Sequence, residues 1–251
     1  MKKLYISSLL LSLSVFFSTT PLSATPFNIN FSLTGFSTDQ TSLFTQAEDY
    51  WEGIIHDYIA PNMNIPLDIS AELTSIDGEN GTLGNARVTE GARTGGFVYS
   101  TSGEMNFDLD DFGTGASSLL YTTIVHEVAH LIGFGSLWEL NNLYEEGSYE
   151  YTGAHALEAY RTEFNAPDAT YVPVEDDGGA GTAESHWERD VFGNYILTGF
   201  ISEDTRLALS QTSLGAFRDL GYVVTPEPGG MILLGFGMMG LFYGVRKKRL
   251  K

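Results

Sequence analysis

The stretch HEVAHLIGFGSLW, residues 126–138, decides the fold class of this 251-residue chain. On an α-helix, positions i and i+4 share one face, so His126 and His130 can both direct an imidazole nitrogen at one ion. Glu127 is rotated off that axis and is placed to act as a general base instead of a ligand. This spacing predicts a zinc site, and a zinc site of this type needs a third protein ligand.

Candidates for the third ligand are few, because the chain has only three other histidines. His56 lies among apolar neighbours and His155 begins a predicted helix, so both are interpreted as structural or surface residues. His186 follows a glycine-rich acidic loop, 56 residues beyond His130, which leaves room for an inserted subdomain. The alternative is a zinc peptidase class with a glutamate as third ligand, and the downstream candidates are Glu145, Glu146, Glu150, Glu158 and Glu163.

The longer pattern HExxHxxG resembles the metzincin zinc proteases, in which the glycine, here Gly133, lets the chain turn beneath the metal. A standard metzincin would carry its third histidine at position 136, where this chain has Ser136. The later run GTAESHWERDVFGNYILTGFIS resembles leishmanolysin-type metalloproteases, in which an insertion displaces that histidine. The resemblance implies that His186 is the third ligand. It also implies that Leu197 occupies the position of a methionine below the metal, a swap that costs under about 1.5 kcal/mol in a packed site.

Apolar periodicity predicts an α+β fold for residues 25–225, and the resemblance implies a metzincin-like zincin. The N-terminal lobe, 25–134, is expected to be a small mixed sheet with two helices, one of which carries HExxH. Its strands are expected at 27–36, 67–73, 86–89, 97–100 and 105–109, and its helices at 41–60 and 117–134. Residues 135–225 are expected to form an insertion and a loop-rich C-terminal lobe, with helices at 155–164 and 213–220.

Both ends of the chain carry predicted export signals. Residues 1–24 have a basic start, an apolar run and small residues, the features of a secretory signal peptide. Residues 229–245 carry no charge and precede a basic end, which predicts a short membrane span with a cytoplasmic tail. Residues 226–251 resemble the PEP-CTERM sorting signal of exopolysaccharide-producing bacteria. That resemblance implies processing by a membrane exosortase, transient anchoring in the inner membrane, and a final place at the cell surface or in the extracellular matrix.

Composition excludes several classes of function. Residues 25–225 contain six arginines, no lysine and 31 acidic residues, a formal net charge of −25, which repels nucleic acid. The absence of cysteine excludes disulfides, thiol nucleophiles and cysteine metal sites. The carboxylates of 107–111 offer ligands for Ca²⁺, but capping of a turn by Asp110 or Asp111 is the favoured interpretation. The acidic run 175–177 is interpreted in the same way.

Together these features predict an exported zinc endopeptidase. It would hydrolyse peptide bonds of a protein or peptide substrate through a zinc-activated water, with Glu127 as general base. An extended substrate is expected to pair with an exposed sheet edge, assigned to the strand at 105–109. The alternative is a non-catalytic surface or matrix protein that kept the fold, and turnover is the property that separates the two.

Overall fold

The computed structural model of the chain describes residues 26–60, 65–179 and 181–225. The predicted signal peptide, the sorting tail and the predicted span at 229–245 lie outside these ranges. Within them, no helix has both the length and the apolar character needed to cross a membrane.

The described residues form eight strands and six α-helices, with one 3-10 turn at Glu139–Asn141. In chain order the elements are β1 (Ile29–Thr34), α1 (Thr38–Ile54), β2 (Ile55–Tyr58), β3 (Leu67–Thr74), β4 (Gly84–Thr94), β5 (Phe97–Asp108), α2 (Leu109–Phe112), α3 (Ser118–Ile132), β6 (Glu150–Tyr151), α4 (Ala154–Glu163), β7 (Val172–Pro173), α5 (Arg189–Phe192), α6 (Gln211–Asp219) and β8 (Tyr222–Val224). The predicted α+β class is confirmed.

A four-stranded mixed sheet in the order β1-β3-β5-β4 forms the N-terminal lobe. The first three strands are parallel, and β4 is antiparallel to β5. In β3, Leu67, Ile69 and Ala71 are buried while the residues between them are exposed, so one face of the sheet covers the core. The prediction of an edge strand at 105–109 is wrong, because residues 105–108 belong to β5, which lies between β3 and β4. The exposed edge on that side of the sheet is β4.

Two helices, α1 and α3, pack against each other and against this sheet. Ser37 is the N-cap of α1 and forms a capping box with Gln40. The Ser37 hydroxyl accepts from the Gln40 N–H, and the Gln40 side-chain oxygen accepts from the Ser37 N–H. Trp51 is fully buried and donates its indole N–H to the Val125 carbonyl of α3 at 3.1 Å. The two helices are therefore joined by a hydrogen bond as well as by apolar packing.

The helix predicted at 41–60 ends earlier than expected, at Ile54. The chain then continues as β2, which pairs antiparallel with β8 near the C-terminal end of the domain. Ile55 lies opposite Val224 and Tyr58 opposite Tyr222, and both β2 residues are buried. Pairing with a strand so distant in the sequence overrides the local helical pattern.

The C-terminal lobe contains long loops, the short β6–β7 pair and the packed helices α4 and α6. An aromatic cluster connects it to the metal helix. Phe134, just beyond α3, lies 5.0 Å from the ring of Trp187, and Trp138 lies 5.2 Å from that same ring. The residues that follow His130 and the residue that follows His186 therefore share one core.

Candidate metal centre

Helix α3 presents the first two histidines. It begins at Ser117, whose hydroxyl accepts from the Leu120 N–H at 3.0 Å. It ends at Gly133, which has a φ of 127°, a conformation that favours glycine. His126 and His130 lie one turn apart on this helix, so their rings reach the same point in space.

His186 joins them from the C-terminal lobe. The three Nε2 atoms form a nearly equilateral triangle, with separations of 3.1 Å for His126–His130, 3.0 Å for His130–His186 and 3.1 Å for His126–His186. The three histidines that the sequence predicted as ligands are thus brought together, although they come from positions up to 60 residues apart.

Each ring is oriented by a main-chain carbonyl on its other nitrogen. The Nδ1 atom of His126 lies 2.6 Å from the Ile196 oxygen and that of His130 lies 2.8 Å from the Phe134 oxygen. The Nδ1 atom of His186 lies 2.7 Å from the Thr182 oxygen. A carbonyl oxygen only accepts, so each Nδ1 carries the proton and each Nε2 carries a lone pair.

This donor set fits a divalent cation. Three lone pairs within 3.1 Å repel one another unless positive charge lies among them. In a tetrahedral site with Zn–N distances of 2.0–2.1 Å, ligand nitrogens lie about 3.3 Å apart, close to the observed separations. An all-imidazole set favours zinc among the metals that are usually available.

The histidines are held in the neutral form that binds metal. The pKa of His126 is lowered to about 3, chiefly by burial and then by the neighbouring His130, while the bond to the Ile196 carbonyl acts in the opposite direction. Burial also lowers the pKa of His130. Burial, followed by the other two imidazoles, lowers the pKa of His186 well below its ordinary value.

The segment that carries His186 packs against the turn that follows α3. The backbone of Gly135, with a φ of 73°, lies so close to Ser185 that a Cβ there would overlap the Ser185 carbonyl. The neighbouring Ser136 turns its hydroxyl back to the His130 carbonyl. The glycine thus allows the loop that carries His186 to approach this turn closely.

Glu127 lies beside the histidines at the wall of a cleft of about 710 Å³. Only 6% of the residue is exposed, and burial raises the pKa of its carboxyl to about 8. A cation held by the histidines would favour the carboxylate and so lower this pKa. The same cleft is bordered by 83–86 at the start of β4 and by 199–201.

Leu197 occupies a tight turn near the histidines. The Thr198 N–H donates to the Tyr195 carbonyl at 3.2 Å and closes the turn. Leu197 is fully buried, and its carbonyl accepts from the Trp187 N–H at 3.0 Å. The preceding residue, Ile196, supplies the carbonyl that orients His126. The turn therefore supports two of the three histidine segments.

The rival ligands and the calcium candidate lie elsewhere. Glu158 is exposed and pairs with Arg161 at 3.6 Å, and among the described residues no glutamate belongs to the histidine cluster. In the acidic run 107–111, Asp108 is the N-cap of α2 and accepts from the Asp110 N–H at 2.7 Å. The prediction that Asp110 or Asp111 is the cap is therefore wrong: the capping carboxylate is Asp108, and Asp111 instead accepts from the Asn80 N–H at 2.8 Å.

Some groups that complete the centre were missed from the sequence. The carbonyls of Ile196, Phe134 and Thr182 belong to the main chain, so no side-chain motif marks them. The edge strand β4 was also missed, since its polar, glycine-containing sequence has only a weak strand pattern. For Thr182, the one available signal was its place four residues before His186 in the quoted run.

Comparison with known proteins agrees with this geometry. The family model described as leishmanolysin matches residues 98–226, just over half of the chain. The PEP-CTERM protein-sorting motif matches residues 224–249. A "Leishmanolysin homolog" from Crithidia fasciculata is 30% identical over 120 residues, which cover 41% of this chain and 17% of the relative. The chain thus corresponds to about a sixth of that relative's length. The chain belongs to the leishmanolysin family of metallopeptidases and carries a PEP-CTERM sorting motif.

Proposed function

We propose that this protein is an exported zinc endopeptidase with His126, His130 and His186 as ligands and Glu127 as general base. The observation that carries the proposal is the triangle of three Nε2 lone pairs, each fixed by a carbonyl on the opposite ring nitrogen. Neutral imidazoles that converge in this way have no favourable arrangement without a cation.

The catalytic roles follow from position and charge. When bound, zinc supplies Lewis-acid chemistry, because it lowers the pKa of a water from 15.7 to about 7 and polarises a carbonyl oxygen. Glu127, on the same helix and open to the cleft, accepts a proton from the attacking water at its carboxylate. It then passes that proton to the leaving amine. The buried setting of Glu127 keeps bulk water from competing for the proton.

The substrate is proposed to lie along β4. Residues 84–86 border the cleft that contains Glu127, and among the described strands β4 pairs only with β5. An extended peptide can add to such an edge through main-chain hydrogen bonds. This arrangement would place a peptide carbonyl near the histidines, and it selects for an unfolded or extended segment over a folded surface.

The location of the enzyme is proposed from the two ends of the chain. The predicted signal peptide at 1–24 would direct export, and the sorting tail would hold the domain at the inner membrane until an exosortase-type enzyme processes it. The domain, residues 25–225, would then act at the cell surface or in the extracellular matrix. The alternative function is a non-catalytic surface or matrix protein that kept the fold.

Casein hydrolysis by the purified full-length protein tests the proposal. Cleavage should occur with the natural protein and stop when a zinc chelator is added. Glu127→Ala should abolish turnover and still bind zinc, while Glu146→Ala, a change at an exposed carboxylate, should leave turnover intact. Zinc binding without cleavage of casein or of a peptide library would favour the non-catalytic alternative.

A further inference from the structure

The loop that carries His186 is connected at its base by one buried residue, Glu175. Only 2% of Glu175 is exposed. Its Oε1 accepts from the Asp177 N–H at 3.1 Å, and its Oε2 accepts from the Arg189 N–H at 3.2 Å. One carboxylate therefore bonds to a residue before the loop and to a residue after it.

The main chain of Glu175 makes the same connection. Its N–H donates to the His186 carbonyl at 2.9 Å, and its carbonyl accepts from the Glu184 N–H at 2.9 Å. With the two side-chain bonds, Glu175 makes four hydrogen bonds at the base of the loop, and three of them reach residues on its far side. The base is thus fixed at His186 itself and on both sides of it.

The described residues of the loop itself are rich in glycine, and their bonds are local, such as those from the Thr182 and Ala183 N–H groups to the Gly179 carbonyl. Gly178, Gly179 and Gly181 all have positive φ, as does Glu184 at 67°. Glycine-rich segments lose much conformational entropy when they are ordered. Yet this loop must hold the Thr182 carbonyl at 2.7 Å from Nδ1 of His186 to keep the imidazole in its orientation.

The carboxylate of Glu175 lies among other carboxylates and, in the described part of the chain, is not paired with a basic side chain. The carboxylates of Asp176 and Glu188 lie within 4.8 Å of it. In the described part of the chain, no basic side chain forms an ion pair with any of the three. Arg189 instead directs its guanidinium over the Phe200 ring, 4.5 Å from its centre. Burial of a carboxylate among like charges is unfavourable unless hydrogen bonds to its oxygens compensate for the cost.

We infer that Glu175 is a positioning residue for His186, which raises metal affinity without contacting the metal. This inference rests on the proposed role of His186 as a ligand. Both side-chain oxygens must accept a hydrogen bond, and only a carboxylate provides two acceptors. Glutamine keeps the size of the side chain but sets an NH₂ group against one of the two N–H donors.

Zinc affinity of the full-length protein, measured by competition with a chelator, tests this. Glu175→Gln should weaken zinc binding about tenfold and Glu175→Ala about 100-fold, the range observed for groups that orient metal ligands. Asp176→Asn removes the same charge from the same cluster without breaking a loop hydrogen bond, so its affinity should stay within about threefold of the natural protein. This control separates loss of position from loss of negative charge.

The cobalt-substituted protein gives a second measurement that a purely structural role would not change. Glu175→Gln should alter the visible absorption bands of bound cobalt, because the His186 ring is less well held, while Asp176→Asn should leave the bands as they are. If Glu175→Ala does not fold, the comparison of Glu175→Gln with Asp176→Asn decides the question.

Two outcomes are informative in different ways. Equal zinc affinity and equal cobalt spectra for Glu175→Gln and Asp176→Asn would overturn the inference. His186→Ala in the same titration tests the proposed function separately. If that variant binds zinc as the natural protein does, the ligand assignment itself fails; if it loses zinc while Glu175→Gln does not, only the positioning role fails.

Discussion

Replacing Gly199 with alanine should weaken the metal centre through a single steric contact. Gly199 follows the turn that contains Leu197 and lies at the wall of the cleft. A Cβ at this position would overlap Cγ2 of Thr182, the residue whose carbonyl orients His186. The distance from that Cβ to Nδ1 of His186 would be 3.4 Å, an ordinary contact. The whole conflict therefore arises from one methyl group.

The size of the effect follows from the cost of overpacking, typically about 1–3 kcal/mol for an added carbon in a well-packed site. In the metal-free protein, the loop can move aside and relieve part of this strain. Zinc binding requires the original position of His186 and restores the strain. At 1.4 kcal/mol for each factor of ten, zinc affinity should then fall by about 5- to 150-fold if the strain appears wholly in binding. Any part that is not relieved in the metal-free protein should appear as a lower free energy of unfolding.

A double-mutant cycle gives the assay, with zinc affinity from chelator competition and the free energy of unfolding from urea denaturation. Thr182→Ser removes Cγ2 and keeps the carbonyl, so Gly199→Ala combined with Thr182→Ser should recover most of both losses. Gly53→Ala is the matched control, because it lies in α1 with open space around its Cβ position. That control should stabilise the protein by about 0.4–1 kcal/mol. A Gly199→Ala protein with unchanged zinc affinity and stability, or a double variant that recovers nothing, would refute the reasoning.

Three further predictions concern the turn, the acid dependence of stability and the link between β8 and α3. Leu197→Met should change the free energy of unfolding, measured by urea denaturation, by less than about 1.5 kcal/mol. Zinc affinity, measured by chelator competition, should stay within about threefold of the natural protein. A large gain in affinity would show that the leucine impairs the site. Asp108 is fully buried, and although burial raises its pKa, hydrogen bonds from the N–H groups of 76–78 and 110 lower it to about 2. Its unfolded pKa is about 3.9, so its contribution to stability should be present above pH 4 and be lost as the pH falls towards 2. Thermal melts should show that this part of the acid dependence disappears in Asp108→Asn, and an identical pH profile would contradict the assignment. Tyr222→Phe should lower the free energy of unfolding by about 1–2 kcal/mol, because the buried hydroxyl donates to the Ile132 carbonyl at 2.8 Å, and an unchanged urea midpoint would count against it.

The metal helix could be predicted from the sequence because its signal is local. The spacing of His126 and His130 and the glycine at 133 all lie within one amphipathic segment. The helix, predicted to run to residue 134, ends at Ile132 with Gly133 as its C-cap. The third ligand was different. From the residues alone His186 competed with several glutamates, and the resemblance of the GTAESHW run selected it.

The parts that the sequence did not reveal depend on contacts between distant segments. Residues 55–58 have a helical pattern but form β2, because β8 offers a partner and buries Ile55 and Tyr58. The strand at 105–109 was placed at an edge, but the antiparallel pairing of β4 covers it. Glu175 was interpreted only as one of several carboxylates that cap a turn, since nothing in the sequence shows which carboxylate of the run is buried against the loop base.

X-ray absorption at the zinc edge of the purified protein is the most direct test of the centre. We expect three imidazole nitrogens at 2.0–2.1 Å from zinc, with one further oxygen ligand, and a reduction to two imidazoles in His186→Ala. His155→Ala, a change at an exposed histidine, should leave the spectrum unaltered. Two imidazoles and a carboxylate in the natural protein, or a His186→Ala spectrum identical to it, would contradict the assignment of His186 and with it the account of how this chain builds its active site.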